Sequence, residues 1–458
     1  MKAKNILGTA ALGLAFLTAA HADVTIEITG ASAFRKAALE AIKTLYTNDP
    51  SASFKFAHDK TSGNLTSSTR AIFQGKFPNV TGVTTIRTTF TGSVEGVRAL
   101  TIPSNDTNAQ YLATSNFGNA TNSASGTEVA LNATGTLDAK TEAEFAFSDV
   151  SKDSTPLASY SNIDGGAVGV VAFTMVANEG APTNLTNVSS KQFQALFSGG
   201  FQPASLFTGN SSDTTKVYAT GRNDGSGTRT TYMAETGLGI TTVVNQFVTN
   251  TNGNFTSTAG TGSILRIYKV PAQGNGNGTL TNRAGYVASG NMTGGSASDA
   301  STIWGQNLAG NGGYNSGSTL VTHLGYTSNN TEVLDADGTT LEAAGPIALV
   351  SFLATADAIT ARAGGAVILG YNGVKLDGIA GGAAALSASD KTKIAEGAYT
   401  AWSYQQLYKR TDITAGDTFS VWTALNGAIP AAIDSTSSGV KMGDMVAGRT
   451  YDGGPVAP

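Results

Sequence analysis

The sequence predicts α/β lobes with largely parallel sheets, and three observations carry that expectation. Short apolar, β-branched runs alternate with segments of helical period from residue 23 onward. The chain has 458 residues, 40% of them hydrophobic, which is enough for two or three cored domains. Its charges are dispersed rather than blocked, so it is not a disordered polyelectrolyte.

The first segment is read as one to be removed. Lys2 and Lys4 precede an apolar run from Ile6 to Ala19, and Ala20-His21-Ala22 offers a small-x-small cleavage site before Asp23. Residues 1–22 are therefore expected to be a secretory signal peptide, with the mature chain periplasmic or extracellular. The run is shorter than the roughly 20 residues that span a bilayer, and no later segment is apolar for that long, so no direct membrane insertion is expected. The chain contains no Cys, which excludes a cysteine-linked lipid, disulfides and thiolate zinc sites. Its formal charge of −4 becomes −6 once Lys2 and Lys4 are lost. That balance argues against nucleic acid as a partner. It leaves anion binding open, because aimed backbone N–H groups act locally.

Val24 to Ile28 alternates as a strand, and Phe34, Ala38, Ala41, Ile42 and Leu45 recur at helical spacing until Asn48-Asp49-Pro50. Between them, Thr29 to Ala33 is all small residues. A stretch of Asn, Thr, Ser, Ala and Gly at about 101–141 reads as a surface insertion with room for irregular strands, before Ala143 to Phe147 turns apolar again. Gly165 to Val176 suits a buried strand. Ser189-Ser190 caps a helix that Gly199-Gly200 ends. Lys216 to Ala219 reads as a strand, Thr220 to Thr228 as a glycine-rich turn, and a short helix through Tyr232 and Met233 ends at Gly237. A second Gly/Asn-rich insertion covers about 252–331. Ile347 to Phe352 and Ala366 to Leu369 are strand-like, and late aromatics including Trp402 and Tyr404 belong to the core. Asn-x-Ser/Thr triplets, as at Asn64, Asn119 and Asn184, follow from the composition more readily than from glycosylation.

The most informative string is Arg222-Asn223-Asp224-Gly225-Ser226-Gly227-Thr228, between a strand and a helix. Gly225 and Gly227 permit a tight turn. The N–H groups of Ser226, Gly227 and Thr228 then sit unpaired at a helix start, where the dipole favours an anion. The two hydroxyls add donors. Arg222 offers a planar fork to two oxyanion oxygens, and Asp224 is placed to hold it. An ordinary Asp-Gly turn with a Ser cap is the plainer alternative.

This string resembles the signature of the phosphate-binding proteins of ABC transporters, a type II periplasmic binding protein family. Gly30 to Phe34 is similar to the family's first ligand loop, Gly92 to Val97 to its second, and Phe145 to Asp149 to its third. Gly165 to Val176 resembles its crossover strand. The resemblance implies two lobes around a cleft: residues 23–166 and 375–458 in one, 167–374 in the other. It implies that Ala33 and Phe34 give backbone N–H groups, that Ser93 donates, and that Arg222, Ser226, Gly227 and Thr228 bind phosphate oxygens. Asp149 accepts the proton of monoprotonated phosphate, which sulfate lacks; a buried carboxylate left unpaired costs several kcal/mol.

Two departures stand out. Ala33 occupies a position that usually carries a hydroxyl, and the insertion after Ser93 separates it from Asp149 by more than the family's spacing. The implied function is uptake of phosphate or a similar oxyanion, with an ABC permease as partner, no cofactor, no metal and no catalysis. The alternative is an extracellular surface or matrix protein that has lost binding. His58 and His323, in polar segments, are read as surface residues. The glycine string lacks the Lys of a phosphate-binding P-loop and the spacing of a nucleophile elbow.

Overall fold

The computed structural model describes residues 23–48, 53–102, 109–223, 225–249, 265–269, 313–314, 316–325, 331–334, 341–345, 347–436 and 439–458. Residues 1–22, most of 252–331 and Asp224 lie outside the described residues, and with them the signal peptide, most of the second insertion and one expected ligand.

Strand β1 (Val24–Gly30) buries Ile26 and Ile28. It stops where Gly30 takes a positive φ of 113°, and a Cβ there would lie 1.9 Å from the Phe147 carbonyl oxygen. Helix α1 (Arg35–Thr47) follows, with Ala37, Ala38, Ala41, Ile42 and Tyr46 buried. Strands β2 (Phe54–His58), β3 (Arg70–Lys76) and β4 (Val83–Thr89) run as an antiparallel meander, and β4 returns parallel to β1. Helix α2 (Ser93–Thr101) leads into the first insertion. That segment is more than surface decoration. Its strand β5 (Thr127–Ala130) pairs with β2, and Leu112 and Phe117 close a small core over Ala57 and Ile72.

Strand β6 (Phe145–Ser148) lies beside β1. The 15-residue β7 (Ile163–Ala177) then crosses the molecule. Beyond it come β8 (Asn187–Val188), α3 (Ser190–Gly199) with a Ser189/Gln192 capping box and a Gly200 stop, β9 (Phe201–Pro203), α4 (Ser205–Thr208), β10 (Lys216–Ala219) and α5 (Gly227–Glu235). Strands β11 (Phe247–Thr249) and β12 (Leu265–Lys269) precede α6 (Gly317–Leu324), β13 (Thr331–Leu334) and β14 (Leu341–Gly345). Strand β15 (Ile347–Ala354) is buried throughout and runs into α7 (Thr355–Ala363). The chain ends through β16 (Val367–Ile368), β17 (Gly370–Tyr371), α8 (Asp377–Ala380), α9 (Ala388–Ala395), β18 (Trp402–Arg410) and α10 (Gly416–Thr436).

Among the described residues these strands make a twelve-stranded sheet in the order β5-β2-β3-β4-β1-β6-β18-β7-β15-β10-β9, with β16 also on β7. The architecture is α/β with two cores. The sheet is mixed rather than largely parallel: β1 pairs parallel with β4 and β6, and β10 with β15, but the β2–β4 meander and all pairings of β7 and β18 are antiparallel. Period-2 and period-3.6 patterns report strands and helices but not strand direction.

One core packs α1 and α10 on the β1 half of the sheet, around Phe34, Tyr46, Phe147 and Ile433. The other surrounds β7, β15 and α5, with Phe193, Tyr232, Phe352 and Trp402. Residues 163–172 of β7 pair with β18, and residues 173–177 pair with β15, so one strand serves both halves. Leu376, Ile394 and Tyr399 belong to the second core and Leu407 to the first. Core membership thus changes along β18. A register irregularity sits there, between Gln405 and Gln406.

Both histidines correct the sequence reading. His58 is fully buried in β2: Nδ1 accepts from the Lys60 N–H at 3.3 Å, and Nε2 lies 2.7 Å from Glu128 of β5. His323 is buried in the last turn of α6, its ring 4.7 Å from that of Tyr314. Burial pushes its pKa down to about 3, so it is neutral. Polar flanking residues concealed the inward positions of both.

Candidate anion-binding site

Three loops that sequence reading singled out meet where the two cores face each other. Ser93 is the first residue of α2, buried, and its hydroxyl accepts from the Asp149 N–H at 3.1 Å. Asp149 ends the β6 loop and is 1% exposed. Gly227 opens α5 directly against both: a Cβ there would lie 1.7 Å from Asp149 Oδ1 and 2.3 Å from Ser93 Oγ. Thr228 Oγ1 donates to Asp149 Oδ2 at 3.3 Å, and Thr231 Oγ1 to the Asp149 carbonyl at 3.4 Å. The Val94 N–H donates to the Gly225 carbonyl at 3.2 Å, so α2 of one half touches the glycine string of the other.

Not every expected donor is available. The Ser226 N–H donates to the Asn223 carbonyl at 3.3 Å, and its hydroxyl caps α5 by accepting from the Arg229 N–H. The Phe34 N–H donates to the Ala31 carbonyl at 3.3 Å, while its ring packs 5.5 Å from that of Phe147. Ala33 is buried against the second core. Helix α5 begins at Gly227, inside the expected turn. By helix geometry, the N–H groups of Gly227 and Thr228 have no intrahelical acceptor.

Arg222 is buried, and its Nε donates to the Tyr314 carbonyl at 3.1 Å. Burial lowers its pKa to about 10, opposed by Asp357 and Asp149 and aided by Arg35. Asp149 is pushed up to about 6, mainly by burial, against its own backbone N–H, the charge of Arg222 and Thr228. Its Oδ1 is buried and has no hydrogen-bond partner among the described residues.

Arg35, Asp357 and Tyr314 were not anticipated. Arg35 Nη2 lies 3.2 Å from Asp357 Oδ1, across 322 positions of sequence, with both side chains about nine-tenths buried. Asp357 sits in the first turn of α7, and Gly317 at the start of α6 packs against its other oxygen. Arg35 was legible only as a charge placed immediately after Phe34; nothing local marks Asp357. Together the constellation offers hydroxyl, N–H and guanidinium donors around one carboxylate acceptor. The described residues include no group of three or more His, Asp or Glu placed to hold a metal.

No family model matches the chain. No curated protein matches its sequence either. Solved structures to which it is similar include a Clostridium perfringens protein assigned as a phosphate ABC transporter substrate-binding protein, with bound phosphate: 8% identity, 91% of this chain and 99% of that one, TM-score 0.41. An ABC-type phosphate transport receptor from Vibrio cholerae matches at 10% identity over 90% and 97%, TM-score 0.39. PstS from Borrelia burgdorferi matches at 10% identity over 92% and 100%, TM-score 0.34. These similarities add nothing to the geometry of the site, which stands on its own residues.

Proposed function

We propose that the chain is an exported solute-binding protein that holds phosphate, or a similar oxyanion carrying a proton, between its two halves and presents it to an ABC permease. The observation that carries this reading is Asp149 Oδ1, a buried carboxylate oxygen with no partner among the described residues, beside Ser93 and Gly227. A protonated ligand oxygen satisfies it, whereas a fully deprotonated one meets an unpaired buried charge. In this proposal the Ser93 hydroxyl and the N–H groups of Gly227 and Thr228 at the start of α5 donate to the ligand, and Arg222 supplies the charge. Ala33 and Phe34 line the site from the loop that leads into α1, and Asp224 assists Arg222. No described helix is long and apolar enough to cross a membrane.

Calorimetry on phosphate-stripped protein tests the reading, with phosphate and sulfate titrated in turn. Phosphate-selective heat that Arg222→Ala removes, and whose selectivity Asp149→Asn erodes, supports it. Absence of heat with both anions on folded protein rejects it in favour of a surface or matrix role, in which the insertions do the work.

A further inference from the structure

The segment from Gly448 to Ala457 closes on itself: each of these two residues donates its N–H to the other's carbonyl, at 2.7 and 3.0 Å. Arg449 docks the loop so formed. Its side chain is buried; Nη1 donates to Glu235 Oε2 at 2.9 Å and Nη2 to the Thr400 carbonyl at 2.7 Å. The guanidinium lies 4.2 Å from the centre of the Trp402 ring. Glu235 is the last residue of α5. Gly453 presses on the same turn, with a φ of 72° that suits glycine, and a Cβ there would lie 2.4 Å from the Ala234 carbonyl carbon.

Asp452 reaches the other way. Its Oδ2 accepts from the Ser151 N–H at 2.7 Å, two residues beyond Asp149. The loop that carries Asp149 is therefore held from three sides: Thr231 of α5 and Ser403 of β18 both donate to the Asp149 carbonyl, and Asp452 fixes Ser151. Helix α5 has nine residues and is about 13 Å long, so its far end is gripped by the same closed loop that grips the Asp149 loop, while its near end, Gly227, meets Asp149 itself.

We propose that Asp452 is a positioning residue for the anion site: from outside it, the carboxylate ties the Asp149 loop to the segment that Arg449 anchors on α5, and so sets Asp149 against Gly227 and Ser93 before the ligand arrives. The proposal rests on the phosphate reading above and concerns how that site is held. A loop already fixed in its bound conformation spares the ligand the cost of ordering it.

The test titrates phosphate and sulfate into the stripped protein and its Asp452→Ala, Asp452→Asn and Ser151→Pro variants by calorimetry, with urea unfolding to confirm that each is folded. All three leave the Arg449–Glu235 pair in place, so the segment stays docked. Asparagine keeps an acceptor for the Ser151 N–H but removes the charge, which also acts on Asp149. Ser151→Pro removes the donor instead, at a φ of −60° that proline adopts. The expected result is a loss of about tenfold in phosphate affinity in Asp452→Ala and in Ser151→Pro, the weight of ordering one loop on binding. The two together should lose no more than either alone, because they break one bond. Asp452→Asn should bind nearly as the wild type does, and preference for phosphate over sulfate should persist throughout, since Asp149 is untouched. Wild-type affinity in both Asp452→Ala and Ser151→Pro overturns the proposal and leaves the phosphate reading intact. An equal loss in Asp452→Asn does the same, assigning the effect to charge rather than to the tie. No heat from the wild-type protein with either anion overturns both readings.

Discussion

Replacing Asp149 with Asn should make the unliganded protein more stable at neutral pH, though it removes a charge from the proposed ligand site. Burial raises the Asp149 pKa from 3.8 to about 6. A shift of that size corresponds to about 3 kcal/mol between the protonation states. The direction follows from proton counts. Below pH 3.8 the carboxyl is protonated in folded and unfolded chains alike, and no cost arises. Between 3.8 and about 6 the folded chain binds more protons, so stability falls as pH rises, and above that window the whole penalty is present. Asparagine keeps the shape and an acceptor for Thr228, and carries no charge to desolvate. Urea unfolding of both proteins in phosphate-free buffer, followed by tryptophan fluorescence from about pH 4 to pH 8, measures the difference. Other buried acids, such as Glu27, raised to about 7 by burial against the pull of Arg87, titrate in both proteins and cancel. The variant should gain on the wild type across the window and level off above it. A gap that is flat with pH, or a less stable variant at pH 8, would refute the reasoning.

Gly227→Ala adds a methyl group where Asp149 Oδ1 and Ser93 Oγ already lie, so it should abolish phosphate binding in calorimetry and cost about 2 kcal/mol in urea unfolding. Ser226→Ala removes the α5 cap and should cost about 1 kcal/mol, with a modest loss of phosphate affinity. Asp357→Asn leaves Arg35 and Arg222 without their shared carboxylate and should destabilise the protein by about 3 kcal/mol at neutral pH, read by the same denaturation. Gly30→Ala, with a Cβ 1.9 Å from the Phe147 carbonyl oxygen, should give little folded protein on size-exclusion chromatography.

Local signals in the sequence reported local structure well. The capped helix after Ser189, the buried strand around Gly165 to Val176 and the strand-to-helix step at Arg222–Thr228 all carry their determinants within a dozen residues. Strand direction does not, and the mixed sheet differs from expectation for that reason. Core membership escaped for the same cause. His58 lies inside because β5, some seventy residues on, covers it with Glu128. The three loops that meet at Asp149 were legible because each concentrates small and hydroxyl residues at a turn. Arg35 and Asp357 were not, since their significance arises only when α1 and α7 meet in the folded chain.

The register irregularity at Gln405 and Gln406 has a mechanical meaning. It interrupts the ladder between β7 and β18 opposite Gly169 and Ala167, close to where the return strand passes from one core to the other. An inserted residue bends its strand and increases the local right-handed twist. The two halves are therefore joined by a continuous paired strand with a fixed bend rather than by a loose tether, and the angle at which one core meets the other is set by hydrogen bonds on both sides of that point.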